Sequence, residues 1–237
     1  MKYLTQKDIE FYNQNGYILV DNVLSKEEIK ELSDVTDTFV EKSKSVTQNN
    51  EDFVLEPGHT AENPKLRRLK SPEHQHKVYE NALKNKNILD IVEDLIGPNI
   101  RSHGSKLNMK APGGGSSVEW HTDWGFYPHT NDDILEVGIP LDDMEIENGC
   151  LHAIPGSHKW DEISHHENGL FIGAVSDDSF NIEDAEPFIL KAGSISLHHV
   201  RALHGSAPNV SNRPRRLLLQ NYSAADAFPI GTPVDWK

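Results

Sequence analysis

The sequence predicts a mainly β protein whose N-terminal part, about residues 1–98, is helical and buttresses a β core over about 99–223. Three observations carry this. Apolar residues recur at helical spacing, with caps, only before Pro98. After Pro98, short β-rich segments alternate with Gly- and Pro-containing turns. No linker and no repeat of fixed period divides the chain, so residues 1–237 are expected to form one domain.

The elements follow in order. Thr5 caps a short helix carrying Ile9, Phe11 and Tyr12, and Gly16 ends it. Tyr17-Ile18-Leu19-Val20 reads as a strand. Ser25-Lys26-Glu27-Glu28 is a capping box that opens a helix with Ile29, Leu32, Val35, Phe39 and Val40 on one face. Residues 44–65 are polar and contain Pro57, Gly58 and Pro64, so a long loop is expected. Helices follow at about 73–84 and 87–96, the second stopped by Gly97-Pro98. Strand character then marks 99–109, 117–121, 134–141, 149–154, 187–190, 194–198 and 215–222. So many short strands suggest a sandwich or barrel.

Composition narrows the function. Hydrophobic residues make up 36% and charged residues 25%, the balance of an ordinary globular protein. The net charge of −14 argues against nucleic acid and anionic membrane as partners. Any bound anion must be held by a local positive site. The only cysteine, Cys150, excludes an intramolecular disulfide and is expected to be a buried small hydrophobe. A cytoplasmic protein is expected, since the first residues lack an apolar signal core and no apolar run approaches bilayer length.

His121-Thr122-Asp123 is the most informative motif. His204 follows 83 positions later (204 − 121), in Leu203-His204-Gly205-Ser206, and Arg215 follows 11 positions after that (215 − 204). On a strand, His121 and Asp123 point to the same face. Two imidazoles and one carboxylate on one face of a metal leave the other face open, which suits a non-heme Fe(II) oxygenase. A trailing arginine suits the two-point grip of a 2-oxo acid's carboxylate. His165-His166-Glu167 has the same His-x-acid form, but lies in a polar stretch with no strand to carry it. His74, His76, His129, His158, His198 and His199 read as surface or packing residues, His199 being the closest rival to His204.

With its flanks, the chain resembles the phytanoyl-CoA dioxygenase family of Fe(II)/2-oxoglutarate oxygenases. The resemblance rests on Phe11 to Tyr17, Lys106 to Pro112, Trp120 to Asp123, Asn148 to His158, Gly193-Ser194-Ile195, His204 to Asn209 and Arg213 to Arg216, and spans about residues 5–223. It implies a double-stranded β-helix, or jelly roll. It implies that His121, Asp123 and His204 bind iron, that Arg215 clasps 2-oxoglutarate, and that Ser206 and Asn108 assist. Arg213 and Arg216 are rivals that strand parity alone does not remove. The implied reaction couples O2 and 2-oxoglutarate to oxidation of a C–H bond, releasing succinate and CO2. Related halogenases lack the carboxylate, so Asp123 favours hydroxylation.

The substrate is expected to be a small molecule. The short, acidic chain leans away from an acyl-CoA. Trp124, Phe126 and Tyr127 either wall its pocket or fill the β core. Asn221, Tyr222 and Asp226, read as lying past the last strand, are further candidates at the pocket mouth. The basic run Lys65 to Lys70 reads as a solvated face, or more sharply as a landing patch for a phosphate- or carboxylate-bearing substrate. The competing reading is a cupin-like metal-dependent isomerase or hydrolase, which has no use for Arg215.

Overall fold

A computed structural model describes residues 1–175 and 180–231. The helices are α1 Gln6–Asn15, α2 Lys26–Ser43, α3 Pro72–Gln75, α4 Lys77–Leu83 and α5 Lys86–Ile96. The strands are β1 Tyr17–Val20, β2 Phe53–Leu55, β3 Leu66–Lys70, β4 Ile100–Lys110, β5 Val118–His121, β6 Ile134–Pro140 and β7 His152–Ala153. They continue with β8 His166–Glu167, β9 Leu170–Phe171, β10 Glu186–Pro187, β11 Ile195–His199, β12 His204–Ser206 and β13 Arg215–Ala224.

Local chemistry sets the helix ends. Thr5 and Asp8 form a reciprocal capping box, as do Ser25 and Glu28. Gly16 closes α1 at φ 78°, and a Cβ there would lie 2.4 Å from His158 Nδ1. The single helix expected over 73–84 is two. His76 is extended at φ −155°, and its Nδ1 accepts the Val78 N–H, so it caps α4 while ending α3.

The expected 44–65 loop contains β2, which pairs with β3. The Phe53-Val54-Leu55 triplet is too short to read as a strand alone and gains its pairing from the hairpin. The Lys65–Lys70 run is not a solvated face either: Leu66 to Lys70 is a strand with Leu66 and Leu69 buried. Strand β13 extends to Ala224, so Asn221 and Tyr222 lie within it.

Seven strands form one sheet in the order β1-β11-β6-β13-β4-β3-β2, and four form a second, β10-β7-β12-β5. Every strand pairing in both is antiparallel. Alternation splits the large sheet by face. Leu69, Leu107, Met109, Val137, Ile139, Leu197 and Leu218 point one way, into an apolar core shared with Leu32, Phe39, Tyr79, Ile88 and Ile91 of the helices. The helices thus cover one face of the sheet. The opposite face meets the small sheet, where Leu217 and Leu219 pack with Cys150, Leu151, Ala153 and Phe188. Two antiparallel sheets packed this way are the jelly roll expected above.

Candidate metal centre

The site lies between the two sheets. His121 ends β5, His204 starts β12, and the two are direct register partners across that antiparallel pair. This pairing brings together residues far apart in sequence, with ring centroids 4.2 Å apart. The strand stops at His121, and Asp123 opens a 3-10 turn instead. Thr122 is still extended at φ −109° and ψ 141°, so the carboxylate comes back to the imidazole's side. One ligand atom from each of His121, Asp123 and His204 lies within 4.8 Å of the other two, and all three residues are buried.

Backbone carbonyls set the tautomers. His121 Nδ1 lies 2.7 Å from Glu119 O, and His204 Nδ1 lies 2.9 Å from Ala202 O. A carbonyl only accepts, so both Nδ1 atoms carry the proton and both Nε2 lone pairs face the cluster. Burial pushes the His121 imidazole down to about 4 and His204 well below its ordinary value. Burial opposes ionisation of Asp123, yet Lys106 and the neighbouring imidazoles hold it well below the carboxylate range. Two neutral imidazoles and a carboxylate are the donor set that fits Fe(II) with open positions.

Two histidines outside the motif belong to this centre. His198, read above as a packing residue, places Nε2 3.3 Å from Asp123 Oδ2, with its ring 4.3 Å from that of His204. His121 Nε2 is nearest the other oxygen, Oδ1, at 3.9 Å. The carboxylate's two oxygens are thereby divided, one toward the ligand cluster and one toward a donor behind it. Strand parity held the signal: His198 shares a face of β11 with Ser196, opposite to Ile195 and Leu197. His165, dismissed with the rival triplet, is also buried. Its Nε2 accepts the Thr122 N–H at 2.9 Å and fixes the residue between His121 and Asp123. The stretch after it is not strandless, since His166–Glu167 pairs with Leu170–Phe171. His199 lies on the other face of β11, its ring 5.2 Å from His158.

Arg215, on the same side of the large sheet, is 2% exposed. It makes no ion pair among the described residues, and its Nε has no hydrogen-bond partner. Burial pulls it down to about 10, so it stays charged at neutral pH. Its rivals are engaged elsewhere: Arg213 with Glu145, and Arg216 with Asp142 and Asp37. Ser206 Oγ accepts from Lys110 Nζ at 2.7 Å, and Asn108 Oδ1 accepts from Arg68 Nε at 2.8 Å. One narrow cavity is lined by His121, Asp123, His204, Arg215, Ser206, Asn108 and His198.

A wider cavity of about 400 Å3 adjoins it, sharing Arg68, Lys106 and Glu136. Phe126, Tyr127 and Asn221 line it. Trp124 does not; it packs with Ile134, Val200 and Ala227, under the Arg201 guanidinium at 4.0 Å. Tyr222 faces the helices, its hydroxyl donating to Leu83 O, and the Asp226 carbonyl accepts from Thr130. Cys150 is buried, and burial pushes its thiol up to about 11.

Comparison with known proteins agrees. The family model described as "Phytanoyl-CoA dioxygenase (PhyH)" matches residues 12–217. A probable alpha-ketoglutarate-dependent hypophosphite dioxygenase of Stutzerimonas stutzeri is 37% identical over 92% of this chain and 78% of its own length. A methylphosphonate hydroxylase of Gimesia maris is 27% identical over 93% of this chain and 81% of its own. The crystal structure of EctD from S. alaskensis with bound Fe superposes with a TM-score of 0.80 at 20% identity, covering 98% of this chain and 82% of that one. Sequence, fold and relatives converge: the chain belongs to the phytanoyl-CoA dioxygenase family of Fe(II)- and 2-oxoglutarate-dependent oxygenases.

Proposed function

We propose that His121, Asp123 and His204 hold Fe(II), that Arg215 clasps the far carboxylate of 2-oxoglutarate, and that the enzyme hydroxylates a small-molecule substrate. The carrying observation is Arg215: a buried guanidinium with no ion pair among the described residues, lining the same cavity as the three proposed ligands. A buried cation needs an anion, and a dicarboxylate cosubstrate supplies one. A cupin-like isomerase or hydrolase would leave that charge unexplained.

When bound, Fe(II), 2-oxoglutarate and O2 supply the oxidising power, and succinate and CO2 leave. The chain positions and shields. Neutral imidazoles stand ready for metal without losing a proton, and the buried carboxylate is already ionised. Ser206 Oγ takes a hydrogen bond from Lys110, so its own O–H is free to donate to a cosubstrate carboxylate. Burial, then the neighbouring Arg215, pushes the Lys110 amine down to about 6, while its Nζ donates to Ser206 O, Ser206 Oγ and Ala207 O and so holds Ser206 beside the clasp. Asn108, fixed by Arg68, faces the same cavity. His121, Asp123, His204 and Arg215 are all buried, which limits their contact with bulk water.

We read residues 1–237 as one catalytic domain, with the helices of about 1–98 bracing the core of about 99–223. The helices and the large sheet share one apolar cluster, which supports this. We place the enzyme in the cytoplasm, which suits ferrous iron and a lone thiol. No helix among the described residues is long and apolar enough to cross a membrane. We exclude nucleic acid as a partner on the net charge of −14.

The test is anaerobic. Adding 2-oxoglutarate to the Fe(II) protein should produce a weak visible charge-transfer band. Arg215→Met should raise the 2-oxoglutarate needed for that band by roughly tenfold to a hundredfold, as expected for losing hydrogen bonds between charged groups. An intact protein with no band would favour the isomerase reading.

A further inference from the structure

The wider cavity reverses the protein's overall charge. In a chain of net charge −14, its described wall carries Lys70 and Lys106 against one carboxylate, Glu136, with Arg68 beside them donating to Asn108. Lys70 and Lys106 are register partners across β3 and β4, and Arg68 lies two residues from Lys70 on the same face. Like charges directly opposite on neighbouring strands destabilise a sheet. The arrangement is accounted for when an anion sits between them.

The existing partners leave capacity on both ammonium groups. Lys70 Nζ donates to Asn50 O at 3.3 Å and has further N–H bonds to give. Asp123, which also draws on Lys106, is committed to the metal in the proposed reading. Lys106 Nζ is 3.5 Å from Glu136 Oε1, beyond a good hydrogen bond. Glu136 Oε2 is already occupied, accepting from Tyr127 Oη at 3.2 Å and Asn221 Nδ2 at 3.1 Å. Two buried polar atoms of residues on the same wall, Asn221 Oδ1 and His129 Nε2, have no hydrogen-bond partner. Buried polar atoms in native proteins are normally paired, and an amide oxygen can be satisfied only by a donor.

We propose that this cavity recognises an organic anion, a phosphonate or a carboxylate. Its charged group sits between Lys70 and Lys106, and a hydrogen-bond donor elsewhere on the molecule reaches Asn221 Oδ1. This rests on the iron and 2-oxoglutarate reading and adds the substrate's chemical class to it. Lys106 and Glu136 line both cavities, so an anion held by Lys106 stands at the opening onto the ligand cluster. The volume is of the size that takes an organic ligand. An inorganic ion of three heavy atoms, such as hypophosphite, would leave most of it to water.

The probes are 2-aminoethylphosphonate and 3-aminopropanoate, each joining an anionic head to an ammonium donor, titrated calorimetrically into anaerobic protein already saturated with Fe(II) and 2-oxoglutarate. At least one should bind, and the tighter of the two identifies the head group. Lys106→Met should weaken that binding roughly tenfold to a hundredfold, Lys70→Met should weaken it less, and Lys106→Arg should restore most of it. The charge-transfer band gives 2-oxoglutarate affinity separately. Lys106→Met should disturb the probe anion more than 2-oxoglutarate, and Arg215→Met should do the reverse. The proposal is overturned if neither anion binds, if Lys106→Met binds as tightly as wild type, or if Lys106→Met weakens 2-oxoglutarate as much as Arg215→Met does. Absence of the band in wild type would instead sink the underlying iron and 2-oxoglutarate reading.

Discussion

The two faces of the seven-stranded sheet use the same strands for opposite purposes. Toward the helices, Leu107, Val137, Leu197 and Leu218 are fully buried in an apolar core. Toward the small sheet, their neighbours Lys106, Glu136, His198 and Leu217 line the cavities. One residue along the strand separates stability from chemistry. The helix-facing side tolerates any well-packed apolar set, whereas the cavity side keeps buried charges that an apolar core would reject. The face that specifies the fold therefore pays for the face that performs the reaction.

Substitutions on each face should give separable phenotypes. The largest effect is expected from His121→Ala or Asp123→Ala. Either should abolish succinate production and saturable Fe(II) binding while leaving the unfolding midpoint of the metal-free protein within a few degrees of wild type. On the opposite face, Leu107→Ala should destabilise by about 2–5 kcal/mol through lost burial and a residual cavity. Denaturant titration measures it, and a folded fraction at low temperature should still bind Fe(II).

His198→Phe is expected to fall between the two faces. Removing the donor behind Asp123 should weaken Fe(II) binding about 10–100-fold, with little change in stability. His198→Gln, which can still donate, should recover part of the loss; equal affinity in both variants would mean that His198 only fills space. The smallest effect is that of pH. Burial lowers His199 from its ordinary value to about 4. The unfolded chain therefore binds the extra proton first, so this contribution is full above about pH 6.5 and is lost as pH falls toward 4. Denaturant midpoints of metal-free His199→Phe should vary less across that window than those of wild type.

Much of this was legible in the sequence because it is local. Thr5, Ser25 and Gly16 announce helix ends through hydrogen bonds to residues within one turn. His121 and Asp123 announce a shared direction through their spacing, even though the strand stops between them. The hidden parts depend on tertiary register. Nothing local says that Lys70 faces Lys106, or that His165 caps the amide of Thr122. The break at His76 escaped because a single extended residue leaves the helical periodicity on either side intact. Trp124 sits beside the motif in sequence yet turns away under Arg201, since a 3-10 turn does not keep the alternation of a strand. Strand parity does not separate Arg215 from Arg213 and Arg216; the family resemblance favours Arg215, and the acidic partners of the other two support that choice.

The direct pairing of His121 with His204 has a mechanical consequence. Strand β5 is the border of the smaller sheet, and among the described residues two register pairs, His121 with His204 and Val118 with Ser206, join it to β12, with one further bridge, Gly115 to Asn209, beyond them. An ion gripped by both imidazoles, as proposed above, would act as a rivet at that border. Loading and zipping of the strand are then one equilibrium, and by reciprocity any change that frays the seam from its far end must also loosen the grip on the metal.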